Sequence, residues 1–309
     1  MKIFKFGGAS VKDAESVKNV ASIIKNEGAK DTLVVISAMG KMTNAFEDVV
    51  DTYYNKSEDL PKKLNFIEEF HKNIMSSLFD KKDDIYKEID ILFGELGWFL
   101  ARNTSQRFNY VYDQIICFGE LLSTRIVSAY LEKIGQENVW FDVRNYIKTD
   151  SSYRDAKVDW ELTNNLITRK VDVNKINITQ GFIAANDTEN TTTLGREGSD
   201  YTAGIFAYCL DAESVTIWKD VPGVLNADPR VFSDTTLLEQ ISYEEAIEMA
   251  FYGASVIHPK TLQPLERKEI PLLVRSFVNP KETGTKVSKG TRLVPYIPCF
   301  IVTKNQILV

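Results

Sequence analysis

The opening stretch of the chain limits its fold more than any other. Residues 2–6 (Lys-Ile-Phe-Lys-Phe) alternate as a short strand does and run straight into Gly7-Gly8. Val17, Val20, Ala21 and Ile24 then recur at i, i+3, i+4 and i+7, the spacing of one apolar helix face. Residues 32–38 (Thr-Leu-Val-Val-Ile-Ser-Ala) form an apolar run of strand length. Strand, glycine turn, helix and buried strand make a βαβ unit. Such a unit commits the chain to an α/β fold with a parallel sheet.

Downstream the pattern changes twice. From about 44 to 135, charged residues intersperse with Leu, Ile and Phe at helical spacing, with few breakers apart from Pro61, which predicts several helices inserted as a layer. Strand character returns at 138–142 and again at 176–185, where a strand pair is expected around Gly181. Ala203, Phe206, Ala207 and Leu210 mark a helix, Ser214–Trp218 a strand, 242–251 and 258–268 helices, and 271–277 a strand. Residues 279–296 carry prolines, glycines and lysines and read as a linker. Cys299–Val309 reads as one strand and the start of another. A lone strand cannot bury itself, so it either pairs with the preceding domain or opens a further one.

Composition removes several function classes. The 309 residues are 44% hydrophobic and 26% charged, ordinary values for a globular protein with a sizeable core. A net charge of -6 argues against a nucleic-acid binder, which needs a broad basic face. No apolar stretch approaches the roughly 20 residues of a membrane span, and MKIFKFGGAS has no apolar run of the secretory kind. Cys117, Cys209 and Cys299 are sparse and lack metal-site spacing, so a reducing cytoplasm is the expected location.

Six segments carry candidate chemistry. In Lys5-Phe6-Gly7-Gly8-Ala9-Ser10 a cation stands at a strand end before two glycines that let a ligand approach the backbone, although a plain tight turn would also explain them. The loop is not a Walker A sequence. Ser37 to Asn44 puts small and polar residues at a strand end, where open α/β sheets bind ligands, with a simple helix cap at Thr43 or Asn44 as the alternative. Glu120, in Phe118 to Arg125, is an acid in an apolar helical stretch: it either pairs with an arginine or holds a substrate ammonium. Thr191 to Ala203 is the most informative. A hydroxyl run, two glycines and Arg196 lead into a helix whose start holds Ser199 and Asp200, and Arg196 suits bidentate grip of a carboxylate. Trp218 to Arg230 combines a strand end with Pro-Gly and Asp-Pro turns and suits a nucleotide base and ribose. Gly253 to Lys260 is a glycine-bearing turn before a helix, in which His258 reads as structural.

In order, KFGGAS, FGELLSTR, TTLGREGSDYTA and WKDVPGVLNADPR resemble the aspartate kinases of the amino-acid kinase superfamily, over residues 2 to about 285. The resemblance implies a three-layer αβα sandwich around a mostly parallel sheet, with two lobes in a catalytic domain over 1–291. Aspartate would bind in the first lobe, about 1–200, with the helical insertion, and ATP with Mg²⁺ in the second, about 201–291. Residues 292–309 would be a linker and the cut-short start of a small-molecule-sensing domain of the ACT type.

It further implies ATP-dependent phosphorylation of the L-aspartate side chain to 4-phospho-L-aspartate, in a homodimer. The alternative is a superfamily relative acting on glutamate, acetylglutamate, carbamate or UMP. By the same resemblance Lys5 and Asp200 are catalytic, the second orienting the first. Thr43, Glu120, Phe182, Arg196 and Ser199 bind aspartate, Glu120 taking the ammonium and Arg196 the α-carboxylate. Lys5, Gly7, Gly8, Ser37, Lys219, Asp220, Leu225, Arg230, Ser255 and Val256 face the nucleotide. The sequence departs from the common pattern at Ala9 (usually threonine), Glu197 (often glycine) and Ser255 (lysine in some relatives). The cation absent at Ser255 falls to Lys219 or Lys260.

Overall fold

A computed structural model describes residues 1–28, 30–253, 257–290 and 292–302. β1 (Lys2–Phe6), α1 (Ala14–Glu27) and β2 (Thr32–Ile36) form the expected βαβ unit, with β1 and β2 parallel in the register Phe6 opposite Ile36. Asp13 starts α1 by accepting from Ser16 N, and the four predicted apolar positions of that helix are all buried. All five residues of β2 are buried, so the sheet is covered on both faces, as parallel sheets require.

Five helices follow: α2 (Met42–Tyr54), α3 (Leu60–Leu78), α4 (Ile85–Arg102), α5 (Phe108–Ile116) and α6 (Phe118–Lys133). Pro61 falls in the first turn of α3, where its missing N–H costs nothing. The helical reading of 44–135 holds, but α6 is no insertion. It is buried on most sides and packs directly on β2, β3 (Val139–Trp140) and β4 (Asn177–Gln180). Between β3 and β4 in sequence lies α7 (Trp160–Lys170), which the sequence reading missed and which Asp159 caps through Leu162 N.

The strand pair expected around Gly181 is corrected. β4 joins the central sheet, whereas β5 (Ile183–Ala185) turns away and pairs antiparallel with β6 (Thr191–Thr193). After it come α8 (Gly198–Cys209), β7 (Ser214–Lys219), β8 (Gln240–Ile241), α9 (Tyr243–Phe251), α10 (Pro259–Arg267), β9 (Leu272–Ser276) and β10 (Thr285–Val287). Among the described residues the central sheet has eight strands in the order β3-β4-β2-β1-β7-β9-β10-β8, parallel except for β9 with β10. The linker expected at 279–296 is therefore corrected too: β10 lies within it and belongs to the sheet. Phe300 N donates to Asn226 O, so the start of the terminal strand pairs with this domain, while residues 303–309 lie outside those described.

This order positions the site. From β1 the chain moves to β2 on one side and later returns to β7 on the other, so β1 is a topological switch point. The carboxyl ends of its three central strands open a crevice there. Phe6 and Trp218, paired across β1 and β7, stack in parallel 6.0 Å apart and are both buried. Among the described residues no helix is long and apolar enough to cross a membrane.

One histidine makes this core sensitive to acid. His71 on α3 is fully buried between Phe70 and Phe93, donating from Nδ1 to Ile67 O, and burial holds its imidazole down at about 4, below the usual 6.5. The unfolded chain takes up that proton near 6.5 and the folded one does not. Stability is therefore full above 6.5 and drains away as pH falls through that window. In urea unfolding at about pH 7 and pH 5, His71→Leu should lose less stability between the two than the unsubstituted protein does. Equal losses would remove His71 as the cause.

Candidate active site

Each side of the crevice is built around one buried carboxylate. Asp200 stands in the first turn of α8, where the helix dipole favours an acid, and has no solvent exposure. Lys5 Nζ, from β1, lies 2.7 Å from its Oδ1. Lys219 Nζ, at the end of β7, lies 3.9 Å from its Oδ2. The acid thus holds two strand-end cations in place. A Cβ on Gly7 would lie 3.4 Å from Lys5 Nζ, in contact with the ammonium. A Cβ on Gly8 would come within 2.5 Å of Gly40 O, so the two glycine loops meet backbone to backbone, and Gly40 N donates to Gly8 O.

Glu120, in the first turn of α6, is the second acid, and it too is buried. Ala38 N donates to Oε1 at 3.2 Å. Oε2 has no hydrogen-bond partner among the described residues. Burial pushes the carboxyl up to about 8, outweighing the opposing pull of the Ala38 N–H, of Glu120's own backbone N–H and of the Lys5 charge. An acid in this condition is incomplete, and a cation placed against Oε2 would complete it.

A cavity of about 360 Å³ provides the space for one. Thr43, Glu120, Phe182, Arg196 and Ser199, the five residues expected to bind the acceptor, all line it. Lys5 lines it as well, and so does Ser37, which the sequence reading had assigned to the nucleotide. Phe182 reaches it from a left-handed residue (φ 69°) anchored by Thr202 Oγ1, which accepts from Phe182 N. Gly181 and Gly198 allow this corner to pack on α8, since a Cβ at either would strike Ser199 or Phe182. Glu197 is at φ 55°, a left-handed backbone that glycine, the residue the resemblance led one to expect there, would adopt without strain.

A second cavity, of about 540 Å³, lies on the other side of Asp200. Lys219, Asp220, Leu225 and Arg230 line it as expected. Arg230 is exposed and ion-paired to Asp228 at 2.8 Å. Phe300, Ile301 and Val302 add a wall that the sequence did not suggest. Ser255 and Val256 lie outside the described residues. Of the two lysines considered for the missing cation, Lys219 faces this cavity, whereas Lys260 is ion-paired to Asp155. His258 is structural: it caps α10, its Nδ1 accepting from Lys260 N at 3.2 Å.

Tyr112 and Arg154 also line the first cavity, and sequence reasoning missed both. Tyr112 belongs to an amphipathic helix and reads as core. Arg154 sits in an irregular loop with no motif around it.

The model of the Amino acid kinase family matches residues 1–276. The chain belongs to this family. The chain is 33% identical over 313 residues to the lysine-sensitive aspartokinase 3 of Escherichia coli (strain K12), covering 99% of the chain and 68% of the relative. It is 33% identical over 293 residues to the chloroplastic bifunctional aspartokinase/homoserine dehydrogenase 2 of Arabidopsis thaliana, covering 92% of the chain but only 32% of the relative. Among solved structures it is similar to E. coli aspartokinase III in complex with aspartate and ADP. There the TM-score is 0.86 at 34% identity, over 94% of this chain and 65% of that one. Against isopentenyl phosphate kinase the TM-score is 0.54 at 15% identity, which shows a shared fold. The chain thus spans about a third of the bifunctional plant enzyme and about two thirds of the E. coli enzyme.

The Asp200 site makes a prediction about stability. Asp200→Asn leaves two lysines facing each other without their acid and should destabilise the fold by about 3 kcal/mol in urea unfolding. Adding Lys5→Met should recover part of that loss. Strictly additive losses would mean that the pair is not coupled.

Proposed function

We propose that this amino acid kinase transfers the γ-phosphoryl group of ATP to the side-chain carboxylate of L-aspartate, giving 4-phospho-L-aspartate and ADP. The observation that carries the reading is the unpartnered Glu120 Oε2 in one cavity with Arg196. One group wants a cation and the other a carboxylate, which together describe a free α-amino acid. N-acetylglutamate, carbamate and UMP offer Glu120 no ammonium. The aspartokinase relatives, one of them in complex with aspartate and ADP, support the same substrates.

The distribution of the cavities supports a division of labour between lobes. Residues lining the acceptor cavity fall between 5 and 199, and those of the second cavity between 219 and 302. In the mechanism we propose, Arg196 fixes the α-carboxylate, Glu120 the ammonium, and Thr43 and Ser199 the rest of the acceptor. Its free carboxylate, with a reference pKa of about 3.9, is already ionised at neutral pH and needs no base. One of its oxygens bonds to the γ-phosphorus as the bond to the bridging oxygen of ADP breaks. Lys5, oriented by Asp200 between the two cavities, stabilises charge on the transferring group. Lys219 does the same from the nucleotide side. Asp220 and Asp228 are the carboxylates that line the second cavity; Asp228 is ion-paired to Arg230, so Asp220 is the residue that would help to hold a Mg²⁺ ion brought with the nucleotide, and the ion would neutralise charge on the phosphates.

An assay of ADP formation with L-aspartate, L-glutamate, N-acetylglutamate, carbamate and UMP tests the reading. Turnover with L-aspartate alone is expected, and turnover with another acceptor in its place would overturn it. Within that assay Lys5→Met should lower kcat by roughly 10²–10³ with little change in the KM for ATP. A kcat within a few-fold of the unsubstituted enzyme would remove Lys5 from the mechanism.

A further inference from the structure

A strained loop forms one wall of the acceptor cavity. Tyr153 and Arg154 are consecutive non-glycine residues in the left-handed region, at φ 54° and 58°. Each costs of order 1 kcal/mol, so the surroundings must hold them there. Asp113, on α5 and without solvent exposure, does much of this. Its Oδ2 accepts from Arg154 N at 2.9 Å and from Thr193 N at 2.8 Å, and its Oδ1 accepts from Thr193 Oγ1 at 2.9 Å. One carboxylate therefore ties the Arg154 loop to the strand that leads, through Leu194 and Gly195, into Arg196. The next residue, Asp155, packs so tightly on Gly195 that a Cβ there would come within 2.4 Å of its Oδ1 and 3.3 Å of Arg154 O, and its carboxylate is ion-paired to Lys260 of α10.

This effort places a guanidinium that has aromatic contacts but, among the described residues, no ion pair. The Arg154 side chain lines the cavity, with Cζ 4.3 Å over the Tyr112 ring and 5.8 Å over that of Phe108. The Tyr112 ring is itself fixed, its hydroxyl donating to Glu47 Oε1 at 2.7 Å. Among the described residues no carboxylate lies within ion-pair distance of Arg154, unlike Arg144, Arg230 and Arg275. An arginine held on an aromatic face with its edge free is preorganised for an anion.

Resting on the reading of the site given above, we propose that Arg154 is a second ligand of the substrate α-carboxylate, gripping it together with Arg196 in the cavity that both line. Two arginines on one carboxylate explain why the loop is worth its strain. They also favour an acceptor that carries an α-carboxylate beside the reacting one.

Kinetics with L-aspartate and with L-aspartic acid α-amide, which keeps the ammonium and the reacting carboxylate but lacks the α-carboxylate charge, test this. Arg154→Ala should raise the KM for L-aspartate roughly tenfold or more while the KM for ATP stays level and kcat falls by less than KM rises. The α-amide should be used no worse by the variant than by the unsubstituted enzyme. Arg154→Gly should behave alike while raising Tm, because glycine suits the left-handed backbone, and Arg154→Lys should restore part of the affinity. An unchanged KM for L-aspartate in an active Arg154→Ala enzyme, or an equal loss on both acceptors, overturns the inference alone. Failure of the unsubstituted protein to form ADP with L-aspartate overturns the reading of the site, and this inference with it.

Discussion

Asp200 is an acid without solvent, met by lysines from two strands that flank the same crevice. Such a charge is tolerable only where its partners are, so it fixes the relative position of β1, β7 and the start of α8. The glycine loop after β1, the turn at Gly181-Phe182 and the run from Thr191 to Arg196 are arranged around it. Both cavities open beside this acid, one on the Lys5 side and one on the Lys219 side. The pair of lysines is thus the natural place for a group to pass between them.

Glu120 has the opposite character. Asp200 has its charge met by two lysines of the fold, whereas Glu120 has no ion-pair partner among the described residues, with one oxygen served by Ala38 N and the other by no described hydrogen bond. Its ionised form is disfavoured by burial until a cation arrives. A group that weakens the empty protein at neutral pH and is relieved by substrate is a cost that binding sites carry more often than cores do. The same logic applies to the left-handed residues at Arg154, Phe182 and Glu197, which all border the acceptor cavity.

The parts of the fold legible in the sequence were those with periodicity. The βαβ start, the amphipathic face of α1 and the apolar strands β2, β7 and β9 follow from spacing alone. β6, β8 and β10 are two or three residues long, too short for any period, and β6 is a run of threonines whose hydroxyls are buried among polar partners. β10 was hidden by the glycines and prolines around it. In the site, residues next to glycine turns and helix starts stood out, among them Lys5, Thr43, Ser199 and Arg196. Glu120 stood out as an acid in an apolar stretch. Arg154 gave no such signal. Its place depends on Asp113, forty-one positions earlier, and on the packing of its loop against Gly195, neither of which is a local property.

The account rests on Glu120 receiving the ammonium of an amino acid, and the protons it moves report this directly. At pH 7 the free carboxyl, raised to about 8, is mostly protonated. An ammonium bound against it requires the ionised form. Titration calorimetry of L-aspartate at pH 7, in buffers of different ionisation enthalpy, should therefore show a net release of protons on binding, and Glu120→Gln should abolish that release. Binding with no proton released, or a release that survives Glu120→Gln, would contradict the assignment of the acceptor site.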